Sequence, residues 1–185
     1  MKLAASILTG LLAMSGATPG VCAERVIALS DSEALIVPSD SPARFQRLGR
    51  HLDAHFTGRF TISGAFAYGC NLGCDAPLTE RDLALYIVPD ETLARRLPHW
   101  KAHDRDIRIY IDNPKPFGRK FVSARIRAAL LNGKLGHVTG HATIVVDRLL
   151  ATIECDTGGY SVHLIAFAKP ATIGPVQAAE NHGCG

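Results

Sequence analysis

The sequence predicts a mainly β protein, a small barrel or curled antiparallel sheet of about six strands with one or two short helices. Three observations carry that expectation. Short segments place an apolar residue at every second position, as in Phe60, Ile62, Phe66 and Tyr68, and again in Ile107, Ile109 and Ile111. Turn-forming stretches separate such segments, among them "NPKPFG" and "CDTGG". Helical spacing is confined to two short runs.

The N-terminal residues read as an export signal. Lys2 precedes the apolar run Leu3–Met14, which is too short to span a bilayer, and "VCA" then fits a cleavage site. Cleavage is expected after Ala23, so residues 1–23 leave and the mature chain begins at Glu24. A lipid anchor on Cys22 is disfavoured by Pro19 and Val21, where an aliphatic and a small residue are wanted. The remaining length suits one domain of about 160 residues. It divides into a lead-in arm (24–40), a barrel core (41–168) and a tail (169–185). No later run is long and apolar enough to cross a membrane, so the expectation is a soluble periplasmic or secreted protein. The formal charge is +3, with Lys2 included, and acids and bases look well mixed. That pattern makes nucleic acid an unexpected partner.

Along the core, "SPARFQRLGRHLDAHF" starts with Ser41 and Pro42, a helix-initiating pair, and spaces Phe45, Leu48, Leu52 and His55 or Phe56 by three or four. It predicts a helix. "RFTISGAFAYG" and "DLALYIVPD" then predict two strands, and "PDETLARRLPHW" a short helix with acids first and arginines last, stopped at Pro98. "DIRIYID" predicts a third strand, with Arg108 and Tyr110 on its outer face. "RKFVSARIRAALL" alternates Val122, Ala124, Ile126 and Ala128 against Ser123, Arg125 and Arg127, and predicts a fourth. "HATIVVDRLLATIE" and "YSVHLIAFA" are two more strands joined by the "CDTGG" turn, and the residues from Lys169 onward read as loop.

After signal removal four cysteines remain: Cys70, Cys74, Cys155 and Cys184. In an exported chain they read as two disulfides, with three connectivities open. The favoured one joins Cys70 to Cys74 across the short "CNLGC" loop and Cys155 to Cys184, which would pin the tail.

"HFTGRFTISGAFAYG", "LALYIVPDE", "IRIYID" and "GRKFVSARIRAALLNGKLGHVTGHATIVVDRLLAT" together resemble uncharacterised bacterial exported proteins built on an OB-like β-barrel module. The resemblance spans about Leu48 to Ile153 and implies a β-barrel. It carries over no catalytic residue, and the short helix falls between the second and third strands.

Several patterns invite a chemical reading. His51/His55, His99/His103 and His137/His141 are each spaced by four, and a pair of that spacing shares a face in a helix. A metal-binding protein or metalloenzyme using paired histidines, with His137 and His141 the metal candidates, is therefore the alternative function. "GHVTGH" itself, with two glycines in six residues, is expected to be a loop that leads into "ATIVVD". The Asp-Thr-Gly triplet at 156–158 stands alone, whereas aspartic protease chemistry needs two aspartates sharing a proton. Ser63 lacks the glycine pattern of a nucleophile elbow, and no glycine-rich phosphate loop is present. No catalytic residue and no cofactor are assigned. The leading expectation is a non-catalytic module that binds a protein or saccharide ligand. Arg108, Tyr110, Arg125 and Arg127 would form its binding face on adjacent strands, because OB-like barrels use exposed aromatic and basic side chains in this way.

Overall fold

The computed structural model describes residues 24–28, 30, 33–50, 53–70, 78–101, 107–154 and 157–178. Residues 1–23, where the export signal is expected, and Cys74, Cys155, Cys184, His51, His103 and Asp156 lie outside them. Strands dominate the described residues, as the alternating segments predict. In chain order they are β1 (Arg25–Ala28), β2 (Ala34–Val37), β3 (Arg44–Leu48), β4 (Asp53–Thr57), β5 (Phe60–Cys70) and β6 (Leu83–Pro89). Helix α1 (Glu91–Ala94), β7 (His99–Trp100), β8 (Ile109–Ile111), α2 (Lys115–Phe121) and α3 (Ala124–Leu131) follow. The chain then forms β9 (Leu135–Glu154), β10 (Thr157–Phe167) and β11 (Thr172–Ala178).

Strand β9, 20 residues long, is the spine. Along one side it pairs antiparallel with β5 and then β4, and along the other with β11 and then β10. Each flanking pair is one long strand interrupted once. Between β4 and β5 the break falls at Gly58, whose φ of 125° only glycine adopts without strain and whose α-carbon faces the Pro42 carbonyl. Near this break, Arg148 on β9 has a φ of 55°. There the β9–β10 register shifts by a residue. The inward set on β9 accordingly changes from Val138, Ala142, Ile144 and Val146 to Leu149 and Ala151.

The pairings run from β5 through β6, β8, β10 and β9 back to β5, so the sheet curls on itself. All are antiparallel except β8 with β10. Counting β5, β6, β8, β9 and β10 as first to fifth, the third and fifth run parallel, and α2–α3 stands between third and fourth. This is a small OB-like curl. Strand β8 has only three residues and meets β6 through two residue pairs, so the curl stays partly open along that seam. Asn113 reinforces the other side of β8. Its Oδ1 accepts from Leu164 N at 2.7 Å and its Nδ2 donates to Leu164 O at 3.0 Å, which extends the parallel ladder as a peptide group would.

The core follows the alternation. Phe60, Ile62, Phe66 and Tyr68 point in from β5, Leu83, Leu85 and Ile87 from β6, and Ile109 and Ile111 from β8. Helix α2 covers one end with Phe117, which is fully buried and lies edge-on to Phe66 at 4.9 Å between centroids. Tyr68, Phe121 and Phe167 complete that aromatic cluster. A second, three-stranded sheet (β1, β2, β7) contributes Ile27, Leu35, Val37 and Trp100 to the same core.

Five expectations are corrected. Residues 41–56 form the β3–β4 hairpin, not a helix. Phe45 and Phe56, which helical spacing put on one face, are cross-strand partners whose rings meet edge-on at 5.7 Å. Gly49 N, bonded to Asp53 O at 2.8 Å, helps close the turn.

Residues 119–131 belong to helices, not a strand. Pro114 and Pro116 sit at the start of α2, and Ser123 caps α3 by accepting from Ile126 N at 3.3 Å. Ala124 and Ala128 are exposed, while Val122 and Leu130 are buried. The helical pair thus lies between third and fourth strands, and the described residues between second and third hold the single turn α1 and the short strand β7.

"GHVTGH" is interior strand, paired on both sides, not loop. The lead-in arm forms the β1–β2 hairpin, and part of the tail is strand β11. In "CDTGG", both glycines lie within β10, where Gly158 leaves room for the Trp100 ring.

Candidate binding face on the second and third strands of the curl

Alternation that sends Leu85, Ile87, Ile109 and Ile111 inward sends Ala84, Tyr86, Val88, Arg108 and Tyr110 outward. Register sets Tyr86, Arg108 and Tyr110 next to each other in space. Tyr86 pairs directly with Tyr110 across β6–β8, and their rings lie 6.1 Å apart, tilted by 56°. The Arg108 guanidinium carbon sits 5.0 Å from the centre of the Tyr86 ring. Tyr110 is 37% exposed and Val88 38%, so the cluster meets solvent. On the far side of β8, Ser161 of β10 stands opposite Tyr110. Beyond β6, Ala65 and Ala67 of β5 continue the rows without bulk.

One strand step further, Asp112 Oδ1 accepts from His163 Nδ1 at 2.7 Å, while His163 Nε2 faces the Asn113 amide nitrogen at 3.2 Å. The Asn113 amide is oriented by Leu164, so Nε2 faces a donor and must accept. These contacts match the arrangement in which the Nδ1 proton points to Asp112. The dyad ties β10 to the residues that follow β8.

Of the four expected ligand residues, Arg108 and Tyr110 meet on this face. Arg125 and Arg127 do not, because their segment is helix α3. Arg125 is exposed on that helix. Arg127 turns back to donate from Nη1 to Gly118 O at 3.0 Å and Val122 O at 2.7 Å, which satisfies carbonyls near the end of α2. Tyr86, the residue that completes the face, was signalled by its place between Leu85 and Ile87 in an alternating strand.

Of the three histidine pairs, only His137/His141 lies wholly within the described residues. His137 and His141 share a face of β9, but four residues of strand separate them by about 13 Å. His141 instead lies 3.5 Å from Asp90, His55 lies 2.9 Å from Asp53, and His99 is buried with Nδ1 3.4 Å from Leu97 O. No group of three or more metal-ligating side chains occurs among the described residues. Cys70 ends β5 and is buried, and its three candidate partners lie outside those residues.

Burial pushes the Tyr68 and Tyr160 hydroxyls up in pKa, the latter eased slightly by the Trp100 backbone N–H. The Lys115 ammonium bound to Glu80 draws that carboxyl below its usual range. Among the described residues no helix is long and apolar enough to cross a membrane. Comparison of the chain with protein-family models, with curated proteins and with solved structures finds no match.

Proposed function

We propose that this chain is an exported, non-catalytic binding module of OB-like form whose ligand is a saccharide or a protein segment held on the outer β6–β8 face. One observation carries the reading: two tyrosines in direct register, one stacked under an arginine, lie partly open to solvent on the outer face of the sheet. Aromatic rings offer apolar faces to sugar rings or side chains at little entropic cost, and Arg108 adds a held cation and several donors. Export is supported by the apolar N-terminal run and the cleavage pattern before Glu24.

The mature protein, titrated with a panel of neutral and acidic oligosaccharides and monitored by amide chemical shifts, should show shifts that cluster on Tyr86, Arg108, Tyr110 and Ser161. Y86A/Y110A should abolish them without altering the melting temperature. Shifts centred elsewhere, or a purified protein that carries stoichiometric metal, would replace this reading with the alternative. Mass spectrometry of the exported form should find Glu24 at the N-terminus.

A further inference from the structure

One stretch of the chain concentrates positive charge, and it folds as a single cap. Between Asp112 and Asp147 the chain has six lysines and arginines and no acidic residue, although the whole chain carries only +3. The rest of the chain is therefore net negative by three. All six cations fall on or beside α2 and α3, the pair of helices that covers one end of the curl. Lys115 and Arg119 share Glu80, and Arg127 is spent on backbone carbonyls. Lys120 lies over the Phe167 ring at 4.6 Å, and Arg125 and Lys134 stand exposed with no carboxylate beside them among the described residues.

We propose that this basic helical cap docks the protein on an anionic phospholipid surface. The surface is separate from the β6–β8 face and does not depend on its ligand. Charge complementarity selects an anionic partner, since the stretch that forms the cap carries six cations and no acid, and Glu80 pairs with only two of them, Lys115 and Arg119. The side chains on offer select among anionic partners. Lys115, Arg119, Lys120 and Arg125 stand exposed on the two short helices, and Lys134 is exposed just beyond them. A single-stranded nucleic acid needs a groove and exposed rings for stacking, but Phe117 is fully buried and Phe121 lies beneath Lys120. The large exposed apolar side chains of the described residues all lie outside α2 and α3. Attachment is therefore electrostatic, without insertion, and sensitive to salt.

The test is co-sedimentation of the mature full-length chain with vesicles of phosphatidylglycerol and phosphatidylcholine, against vesicles of phosphatidylcholine alone. Binding should require phosphatidylglycerol and fade as sodium chloride rises toward physiological strength. Each cation near such a surface contributes roughly fivefold, so K120E/R125E/K134E should weaken binding by at least about 100-fold. K120Q/R125Q/K134Q keeps helix-forming side chains, guards against a folding defect and should lose most of the binding too. Y86A/Y110A should bind vesicles as the wild type does. Failure to bind phosphatidylglycerol vesicles, undiminished binding by the glutamine variant, or binding to heparin or oligothymidylate without binding to vesicles would each overturn the proposal.

Discussion

Two aromatic clusters lie a few residues apart in the chain and have opposite fates. Phe66, Phe117, Phe121 and Phe167 close one end of the curl, with Phe117 wholly removed from water and touched by rings from β5, β10 and its own helix. Tyr86 and Tyr110 pair across β6–β8 on the other side of the same sheet, half exposed, with Arg108 rather than another ring completing the stack. The first cluster has partners on every side and can be read as stability. The second has contact on one side and water on the other, which is the arrangement of a surface that meets something else. The same alternation produces both, because each strand sends consecutive residues to opposite faces.

The contrast is broken most severely at Phe117. Phe117→Ala removes the ring that four other aromatics surround, and should cost about 3–5 kcal/mol in chemical denaturation. A smaller loss would mean that the helical cap relaxes into the space and that this end is less well packed than it looks.

Asn113 comes next. Asn113→Ala leaves Leu164 N and O without the side-chain partner and shortens the seam beside Tyr110, so a loss of about 1–3 kcal/mol is expected. Faster hydrogen exchange at β8 than at β5 in the variant would localise the damage to the seam. Uniform exchange would argue against a special role.

The buried phenols offer a pH test. Tyr68 and Tyr160 have raised pKa values when folded, so above the ordinary tyrosine value the unfolded chain loses protons that the folded chain keeps. Stability should therefore fall as pH rises beyond about 10, by up to about 1.4 kcal/mol per pH unit for each such phenol. Urea midpoints between neutral and strongly alkaline pH measure this, and Tyr160→Phe should flatten the decline.

Tyr110→Ala should have the least effect on stability, within the roughly ±0.5 kcal/mol typical of exposed sites, while removing ligand binding from the face. If it destabilises as much as Asn113→Ala, the outer cluster is part of the seam rather than a binding surface.

Period-two patterning alone is sufficient to determine the β class, the inward residues of β5, β6 and β8, and the outward positions of Arg108 and Tyr110. It succeeds there because a strand's side-chain geometry is local and one face is buried. The tertiary structure decides the rest, for identifiable reasons. Phe45 and Phe56 suit a helix face or a cross-strand pair equally well in spacing, and only the partner strand β9, which takes β4 into the sheet, selects the hairpin. Val122 to Arg127 alternates by accident, and the Ser123 cap together with the open end of the barrel makes it helical. The glycines of "GHVTGH" suggest freedom, yet β5 and β11 pair with that stretch from both sides and leave none. Pairing between β6 and β8, distant in the chain, also brings Tyr86 to Tyr110. No local pattern records which distant strand will lie alongside, because that choice is made by the burial of the whole core.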